Sequence, residues 1–505
     1  MSTLRKLAGE TVIYGISHIL PRILQFIILT PYLTNRLKDP SDYGIYSEFY
    51  SYTALILAFM TFRMDTAYFR YANGKDKAER DQVYSTTFVP MMFNSILVFL
   101  ILMLFAGPIA SWLQYPGQDH YVKYFAWILI FDAATTLVYS KFRLDGRPYR
   151  FLFYRFLNVI SSVAFLLFFL EIMPRFMPGL KENMDQFLGD GKDLDYVFFS
   201  NVVASGLVFI GMIPELVKVK FSFDKMKLPV ILKYTWPLTV VALAGNINQA
   251  FAAPLQKWLL AGNVKDVMGE VGIYAAAAKL AILLNLFTTA YNYAAEPFFF
   301  NNSSKDTERT MYGKASLAFT VVSCFAIIGI YLFIDYFLFI IGPNYRSGVY
   351  VVPFLLISYV FLGLYYNVSI WYKLSDNTKI GLWISLLGVG LTIGVSALLV
   401  PVIGVLGSAL ASVVCYLGML VTSYYQGQRH YIIHYPVKQI FMLILTALLL
   451  MAVAYLIRDV LSMGLLWKTL FGLAGIALYL FIALKIIQPL FDLSVLLQKL
   501  RLGKR

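Results

Sequence analysis

Asp42-Tyr-Gly-Ile-Tyr46 and Glu270-Val-Gly-Ile-Tyr274 stand 228 residues apart, and the sequence around them repeats with almost no slippage. Upstream, Thr11-Val12 falls on Thr239-Val240 and Asn35 on Asn263. Downstream, Glu79-Arg80 and Tyr84 fall on Glu308-Arg309 and Tyr312, with a one-residue slip between. A repeat that runs through a whole helical hairpin implies a doubled unit, with a central site expected between two similar lobes.

The setting of that unit is lipid. Of the 505 residues 59% are hydrophobic and 14% charged, where a soluble chain carries about a quarter charged residues, and the mean hydropathy is +0.68. Apolar runs of about 20 residues, the length that crosses the hydrocarbon as helix, recur fourteen times: 8–34, 43–69, 84–110, 121–141, 150–171, 195–217, 234–260, 270–298, 312–341, 348–373, 379–400, 402–425, 437–457 and 463–486. An all-α integral membrane fold follows, because helices satisfy their own backbone polar groups. The first run contains Pro21, Arg22 and Gln25, so it reads as an uncleaved first helix rather than a signal core.

The net charge of +14 is concentrated in the termini and the even-numbered connections, which places both termini in the cytoplasm. The richest of these, Lys141-Phe-Arg-Leu-Asp-Gly-Arg-Pro-Tyr-Arg150, suits anchoring to anionic lipid. Topology explains these charges, so nucleic acid is not expected as a partner. The two cysteines, Cys324 and Cys415, and the four histidines form no metal or disulfide pattern, and no cofactor is expected.

The repeat sets boundaries: an N-terminal six-helix lobe at 1–217, a cytoplasmic interfacial elbow at 218–233, a C-terminal six-helix lobe at 234–428, helices 13 and 14 at 429–487, and an amphipathic cytoplasmic tail at 488–505. Six is even, so both lobes start on the same side and their pseudo-twofold axis runs along the membrane normal. Spans one, two, seven and eight carry the repeat and most of the polar residues, and are expected to line the cavity.

Helical spacing puts Tyr14, His18, Arg22 and Gln25 on one face of the first span, with a kink expected at Pro21. A charge at that depth costs about 2.5 kcal/mol or more and faces protein or water, which makes Arg22 the leading substrate contact; the alternative is a structural cation on carbonyls freed by Pro21. In span seven, Asn246, Gln249, Ala253 and Lys257 share a face by the same spacing, either contacting ligand or joining helices. Lys279 in span eight faces Ser51 in the repeat, one turn from Glu48, and a Glu48–Lys279 pair is expected across the axis when the outer mouth closes. Span two ends in Phe62-Arg63-Met-Asp65-Thr-Ala-Tyr-Phe-Arg70, where Arg63 and Arg70 share a face suited to a phosphate; snorkelling is the other reading. Glu48, Asp65 and Glu296 are candidate coupling or gating acids, with Asp132 and Asp335 also near spans.

These features resemble the multidrug/oligosaccharidyl-lipid/polysaccharide (MOP) exporter superfamily, and within it the polysaccharide-exporting branch of O-antigen (Wzx-type) flippases. The residues that carry the resemblance are Lys6-Leu-Ala-Gly-Glu-Thr-Val-Ile-Tyr-Gly15, Asp42-Tyr-Gly-Ile-Tyr46, Met64-Asp-Thr-Ala-Tyr-Phe-Arg70 and Val271-Gly-Ile-Tyr-Ala-Ala-Ala-Ala-Lys-Leu280. Where family members often have an acidic-basic pair in helix seven, this chain reads Gln256-Lys257. The resemblance implies a V-shaped pair of six-helix lobes with alternating access. It also implies export of an undecaprenyl-diphosphate-linked oligosaccharide across the bacterial plasma (inner) membrane, with proton or sodium coupling. Polysaccharide polymerases or glycosyltransferases are the implied partners, beside membrane lipid. Arg22, Arg63, Lys257, Lys279, His18, Gln25, Asn246 and Gln249 would then meet the diphosphate and sugar, and Tyr14, Tyr46, Tyr50, Tyr52, Tyr274, Tyr291 and Tyr293 would offer platforms. Helices 13 and 14 resemble the pair with which lipid II flippases hold a lipid tail. A lipid II flippase and a cation-coupled multidrug exporter are the alternatives; an enzyme would present a larger outer loop.

Overall fold

The computed structural model describes residues 20–189, 191–219, 222–301, 309–375, 377–461 and 463–488, except for the side chains of 293, 294, 296–301, 309, 310, 373, 378 and 459. Helix is the regular structure of the described residues, with no strand among them. Among the described residues, twelve helical runs are long and apolar enough to cross a membrane, and they coincide with spans three to fourteen of the sequence. Span one lies partly outside the described residues. Span two falls short because its first half is rich in tyrosine and serine and carries Glu48.

The chain forms two compact units, Met1–Ala275 and Ala276–Arg505. In the first, α1 covers 20–36, followed by α2 (Pro40–Thr61), α3 (Met64–Ala72), α4 (Lys77–Leu104), α5 (Ala106–Trp112), α6 (Asp119–Leu144), α7 (Pro148–Leu167), α8 (Met173–Phe176), α9 (Pro178–Leu188), α10 (Asp193–Val217), α11 (Leu228–Ala250) and α12 (Ala252–Leu260). The unit boundary falls inside α13 (Val267–Asn301). A turn of π-helix, Phe168–Ile172, joins α7 to α8. The connection after span five is not a plain loop, since it folds into α9.

Local chemistry explains the starts and stops. Asp39 accepts from the Ser41 N–H at 2.9 Å and Pro40 holds the first helical position, so α2 begins there. Asp76 caps α4 by accepting from the Glu79 N–H at 2.8 Å. The elbow docks on the start of α4: the Ser222 and Asp224 N–H groups donate to the Ser85 and Thr86 hydroxyls at 3.2 and 3.1 Å, and Lys227 donates to the Gln82 amide oxygen at 2.6 Å.

Two spans expected as continuous helices are broken. The face proposed for Asn246, Gln249, Ala253 and Lys257 does not persist, because α11 ends at Ala250 and Phe251 separates it from α12. Pro254 has no N–H to donate to the Ala250 carbonyl, and the ladder stops there. Ala253 and Lys257 are buried while Gln249 is exposed. Span two breaks at Phe62 and Arg63, as described below.

The second unit continues with α14 (Arg309–Leu332), α15 (Ile334–Phe337), α16 (Val352–Val368), α17 (Ile370–Leu374), α18 (Thr378–Ile403), α19 (Leu406–His430), α20 (Val437–Tyr455) and α21 (Leu465–Ile487). Its core lies between α16, α18 and α19, around Trp371, Tyr365, Cys415 and Tyr416. Helices 13 and 14 of the sequence, now α20 and α21, pack on α14, and Tyr479 of α21 donates to the Val321 carbonyl at 2.9 Å. Residues 489–505 of the expected tail lie outside the described residues.

Candidate functional site

Helix α2 packs on α4, α6, α11 and α12 of the first unit, and the repeated motif lies at its N-terminal end. A Cβ on Gly44 would stand 2.2 Å from the Met268 carbonyl oxygen, and one on Gly272 would stand 1.9 Å from that of Pro40. The two Gly-Ile-Tyr copies are therefore in backbone contact with each other, a close approach that only a residue without Cβ permits. Beside them the Ser41 hydroxyl donates to Asp266 at 3.0 Å, and Asp266 also accepts from the Gly269 N–H at 2.8 Å at the start of α13.

One turn further into α2, Glu48 is fully buried, and Lys257 of α12 is buried beside it with Nζ 3.0 Å from Oε2. The same oxygen accepts from the Tyr115 hydroxyl, and Lys257 also donates to the Leu113 carbonyl. The ammonium sits 3.6 Å from the centre of the Tyr115 ring. An isolated charge at this depth would cost several kcal/mol, so charge pairing, hydrogen bonds and the ring face together hold the pair in place. The expectation from the sequence paired Glu48 with Lys279; in this structure the ammonium beside Glu48 is that of Lys257. Gln256 next to it is fully buried, and both its amide atoms lack a hydrogen bond.

Below this pair α2 carries an aromatic layer. Phe49 stacks on Phe125 at 5.1 Å and meets Tyr115, Tyr121 and Phe198 within 5.9 Å, while Tyr46 and Tyr50 pack 4.6 Å apart at its edge. Tyr52 meets Phe251 at 5.7 Å and accepts from the Trp258 indole at 3.4 Å. In the second unit, Tyr291 donates to the Asn367 side chain at 2.7 Å. These tyrosines have packing partners already; Tyr14 and the Tyr293 side chain lie outside the described residues. Asn246 joins helices, donating to the Ala54 carbonyl of α2 at 2.8 Å.

At its C-terminal end α2 stops at Thr61, and Phe62 and Arg63 both adopt left-handed backbone conformations, with φ of 48° and 53°. Neither is glycine, so each conformation costs about 1–2 kcal/mol. Breaking the helix frees the Phe59 and Met60 carbonyls, and one side chain takes both: Asn94 of α4 donates to them at 3.0 and 3.1 Å. Thus α4 stabilises the break, and α3 restarts with Asp65 in its first turn, where the helix dipole favours a carboxylate. Arg63 at the break is half-buried, and its Nε is buried without a hydrogen bond. Two turns on, the exposed Arg70 lies 4.3 Å over the Tyr234 ring of α11.

Other candidates are dispersed. Arg22 and Gln25 are exposed at the start of α1, Lys279 is half-buried in α13 within the second unit, and His18 and the Glu296 side chain lie outside the described residues. Sequence reasoning missed Asn94 and Tyr115. Asn94 had a visible signal, a single amide in the apolar run of span three. Tyr115 had none, since its role comes from the reversal of α5 onto α2.

Three comparisons with known proteins bear on this architecture. Residues 33–173, which contain Glu48, Arg63, Asn94 and Tyr115, match the family described as Polysaccharide biosynthesis protein. No curated protein matches the sequence. Among solved structures, a lipid II flippase MurJ in an inward closed conformation superposes with a TM-score of 0.70 at 15% identity, over 95% of this chain and 99% of that one. An inward-facing multidrug resistance MATE family transporter of the MOP superfamily gives 0.63 at 12% identity over 80% and 94%. A MOP superfamily transporter from Pyrococcus furiosus gives 0.61 at 11% identity over 83% and 95%. The chain is a multi-pass membrane protein with the fold of the MOP exporter superfamily, and over residues 33–173 it carries the sequence pattern of the polysaccharide biosynthesis family.

Proposed function

We propose that this chain is an alternating-access flippase that moves an undecaprenyl-diphosphate-linked oligosaccharide from the cytoplasmic to the outer leaflet of the bacterial plasma membrane, with both termini in the cytoplasm. The observation that carries this reading is Arg63: a guanidinium held inside a membrane-spanning unit at a broken helix, with Nε buried and without a hydrogen bond. A planar cation with donors to spare matches a diphosphate. A polyprenyl tail stays in lipid while the sugar needs a hydrated path, and Arg22 and Gln25, both exposed on α1, together with Lys279, Gln249 and His18, are assigned to that path.

The outer end supplies the counterpart. The Gly44–Gly272 contact and the buried Glu48–Lys257 pair hold the repeated motifs together, and release of this closure would open the outward route. Protonation of Glu48 would weaken its attraction for Lys257, which makes it the first candidate for ion coupling, ahead of Asp65 and Glu296. Helices α20 and α21 would flank the lipid tail, and the enzymes that build or polymerise the glycan are the expected neighbours.

The likeness to the lipid II flippase structure over 95% of this chain favours one second reading, a lipid II substrate. Deleting the gene and analysing lipid-linked intermediates separates the two. Accumulation of a surface-glycan unit on the inner leaflet, with peptidoglycan synthesis intact, is the expected result; accumulated lipid II would replace the first reading by the second. Normal glycan with lost drug resistance would reject both. In reconstituted vesicles Arg22→Ala and Arg63→Ala are each expected to abolish flipping with folding retained, and undiminished flipping by either would remove that residue from the path.

A further inference from the structure

A second basic site lies where α6, α7 and α10 meet. Glu215, one turn from the end of α10, is 6% exposed at its side chain, yet three exposed cations converge on it. Arg147 Nη1 lies 3.5 Å from Oε2, Lys218 Nζ lies 3.7 Å from Oε1, and Arg150 bonds Oε1 directly; their side chains are 46%, 64% and 54% exposed. Lys141 adds a fourth cation, donating to the Glu215 carbonyl at 3.4 Å. One carboxylate against three side-chain cations leaves a net positive surface whose geometry is fixed from inside.

Apolar side chains extend from this surface along the span. On α7, Phe153, Ile160 and Leu167 are exposed at heptad spacing with Tyr149 a turn earlier, and on α10 Ile210, Ile213 and Val217 are exposed one turn apart. These stripes belong on the lipid side of a membrane helix, because water would not tolerate them and among the described residues they stand exposed. An anion-seeking head at the end of two lipid-facing stripes is complementary to a molecule with an anionic head and acyl chains. Further, α7 packs on α6 and α10 rather than on α2 and α3, so the seat stands apart from the Arg63 path.

We propose that Arg147, Arg150 and Lys218, fixed by Glu215, form a seat for the phosphate of an anionic phospholipid of the cytoplasmic leaflet, whose acyl chains lie along α7 and α10. Clustered basic residues at the membrane surface are attracted to anionic lipid by this chemistry.

The test uses the full chain in nanodiscs of phosphatidylglycerol and phosphatidylcholine, with retained lipid measured by native mass spectrometry after detergent transfer. The chain is expected to retain phosphatidylglycerol over phosphatidylcholine. The Arg147→Gln, Arg150→Gln double variant is expected to lower that preference about thirtyfold, from roughly fivefold per cation. Because removing two partners from a buried carboxylate can unfold the chain, the same measurement is made with Glu215→Gln added, which strands no buried charge and leaves Lys218 as the single cation of the seat. Glu215→Gln alone keeps all three cations and is expected to keep the preference. Equal retention by the folded triple variant overturns the proposal. So does displacement of the lipid by inorganic phosphate alone, which would make this a free-phosphate site, or by undecaprenyl diphosphate at equal concentration, which would assign it to the substrate path. Flipping activity enters none of these readouts, so the outcome is independent of the proposed transport function.

Discussion

The two ends of α2 solve opposite problems with the same kind of residue. At the N-terminal end, the outer one in the proposed topology, an acid and a base, Glu48 and Lys257, are buried together and bonded to Tyr115 and Leu113; at the C-terminal end, the inner one, Arg63 is half-buried, with a bond-forming Nε left over, on a backbone that is itself strained. The outer end is ion-paired and close-packed down to a glycine pair, although Glu48 Oε1 and the Gln256 amide are left without hydrogen bonds. The inner end keeps a buried guanidinium donor and a broken ladder. A paired buried charge resists change and a cation with a spare donor seeks a ligand, so the contrast divides one helix into a closure and a receptor.

The largest expected effect breaks the ion-paired end. Lys257→Met leaves Glu48 buried without its cation and is expected to lower stability by about 3–5 kcal/mol, seen as a marked drop in thermal unfolding temperature in detergent. Adding Glu48→Gln is expected to recover most of that loss, since neutral neighbours of similar volume pack without an uncompensated charge. If the double variant flips substrate normally, the pair is a closure only; if it is stable but inactive, the charge itself takes part in coupling.

Next comes the glycine contact. Gly272→Ala places a methyl where the Pro40 carbonyl oxygen already lies, and because that neighbour is backbone, the helices must part; a loss of about 2–3 kcal/mol is expected. Cysteine pairs at the outer ends of α2 and α13 would then cross-link more slowly than in the native chain. Unchanged cross-linking and stability would show that the close approach is not maintained in the membrane.

The inner end responds more mildly. Asn94→Ala strands the Phe59 carbonyl and leaves that of Met60 to the Ser95 hydroxyl at 3.4 Å alone; it is expected to cost about 2 kcal/mol, with a larger loss of affinity for undecaprenyl diphosphate than Arg63→Lys produces. Affinity that survives intact would mean that Asn94 stabilises the break without aiming Arg63.

How much of this was legible before the fold was known follows from the range of each force. Span lengths follow from hydropathy, which is local, and the twelve long apolar helices fall where they were expected. The paired motifs Gly44-Ile-Tyr46 and Gly272-Ile-Tyr274 marked duplication, but that they touch required three dimensions. The break at Phe62 was hidden because no glycine or proline announces it: the deciding group, Asn94, is more than thirty residues away on α4. Pro254 did announce the break before α12, through a missing donor whose consequence the helical-wheel reading of Asn246, Gln249 and Lys257 overrode. Glu48 was visible as a costly acid, whereas its choice of Lys257 depended on where α12 restarts.

The smallest expected effect sharpens the comparison most, because it removes strain without touching charge. Phe62 holds φ of 48°, a region where glycine carries no Cβ penalty; set against the extra flexibility of glycine when unfolded, Phe62→Gly is expected to leave stability unchanged or raise it by about 0.5 kcal/mol, after allowing for lost contact with Trp236 at 6.0 Å. Phe62→Val is the control, since a β-branched residue tolerates left-handed backbone poorly. If the break is the conformation in which Arg63 receives its ligand, Gly at this position keeps binding of undecaprenyl diphosphate and Val weakens it, although Val is the closer match in hydrophobicity. The opposite order would mean that the ring of Phe62, rather than the turn it occupies, is what the inner end needs, and the distinction between a packed outer half and a backbone-controlled inner half of α2 would fall.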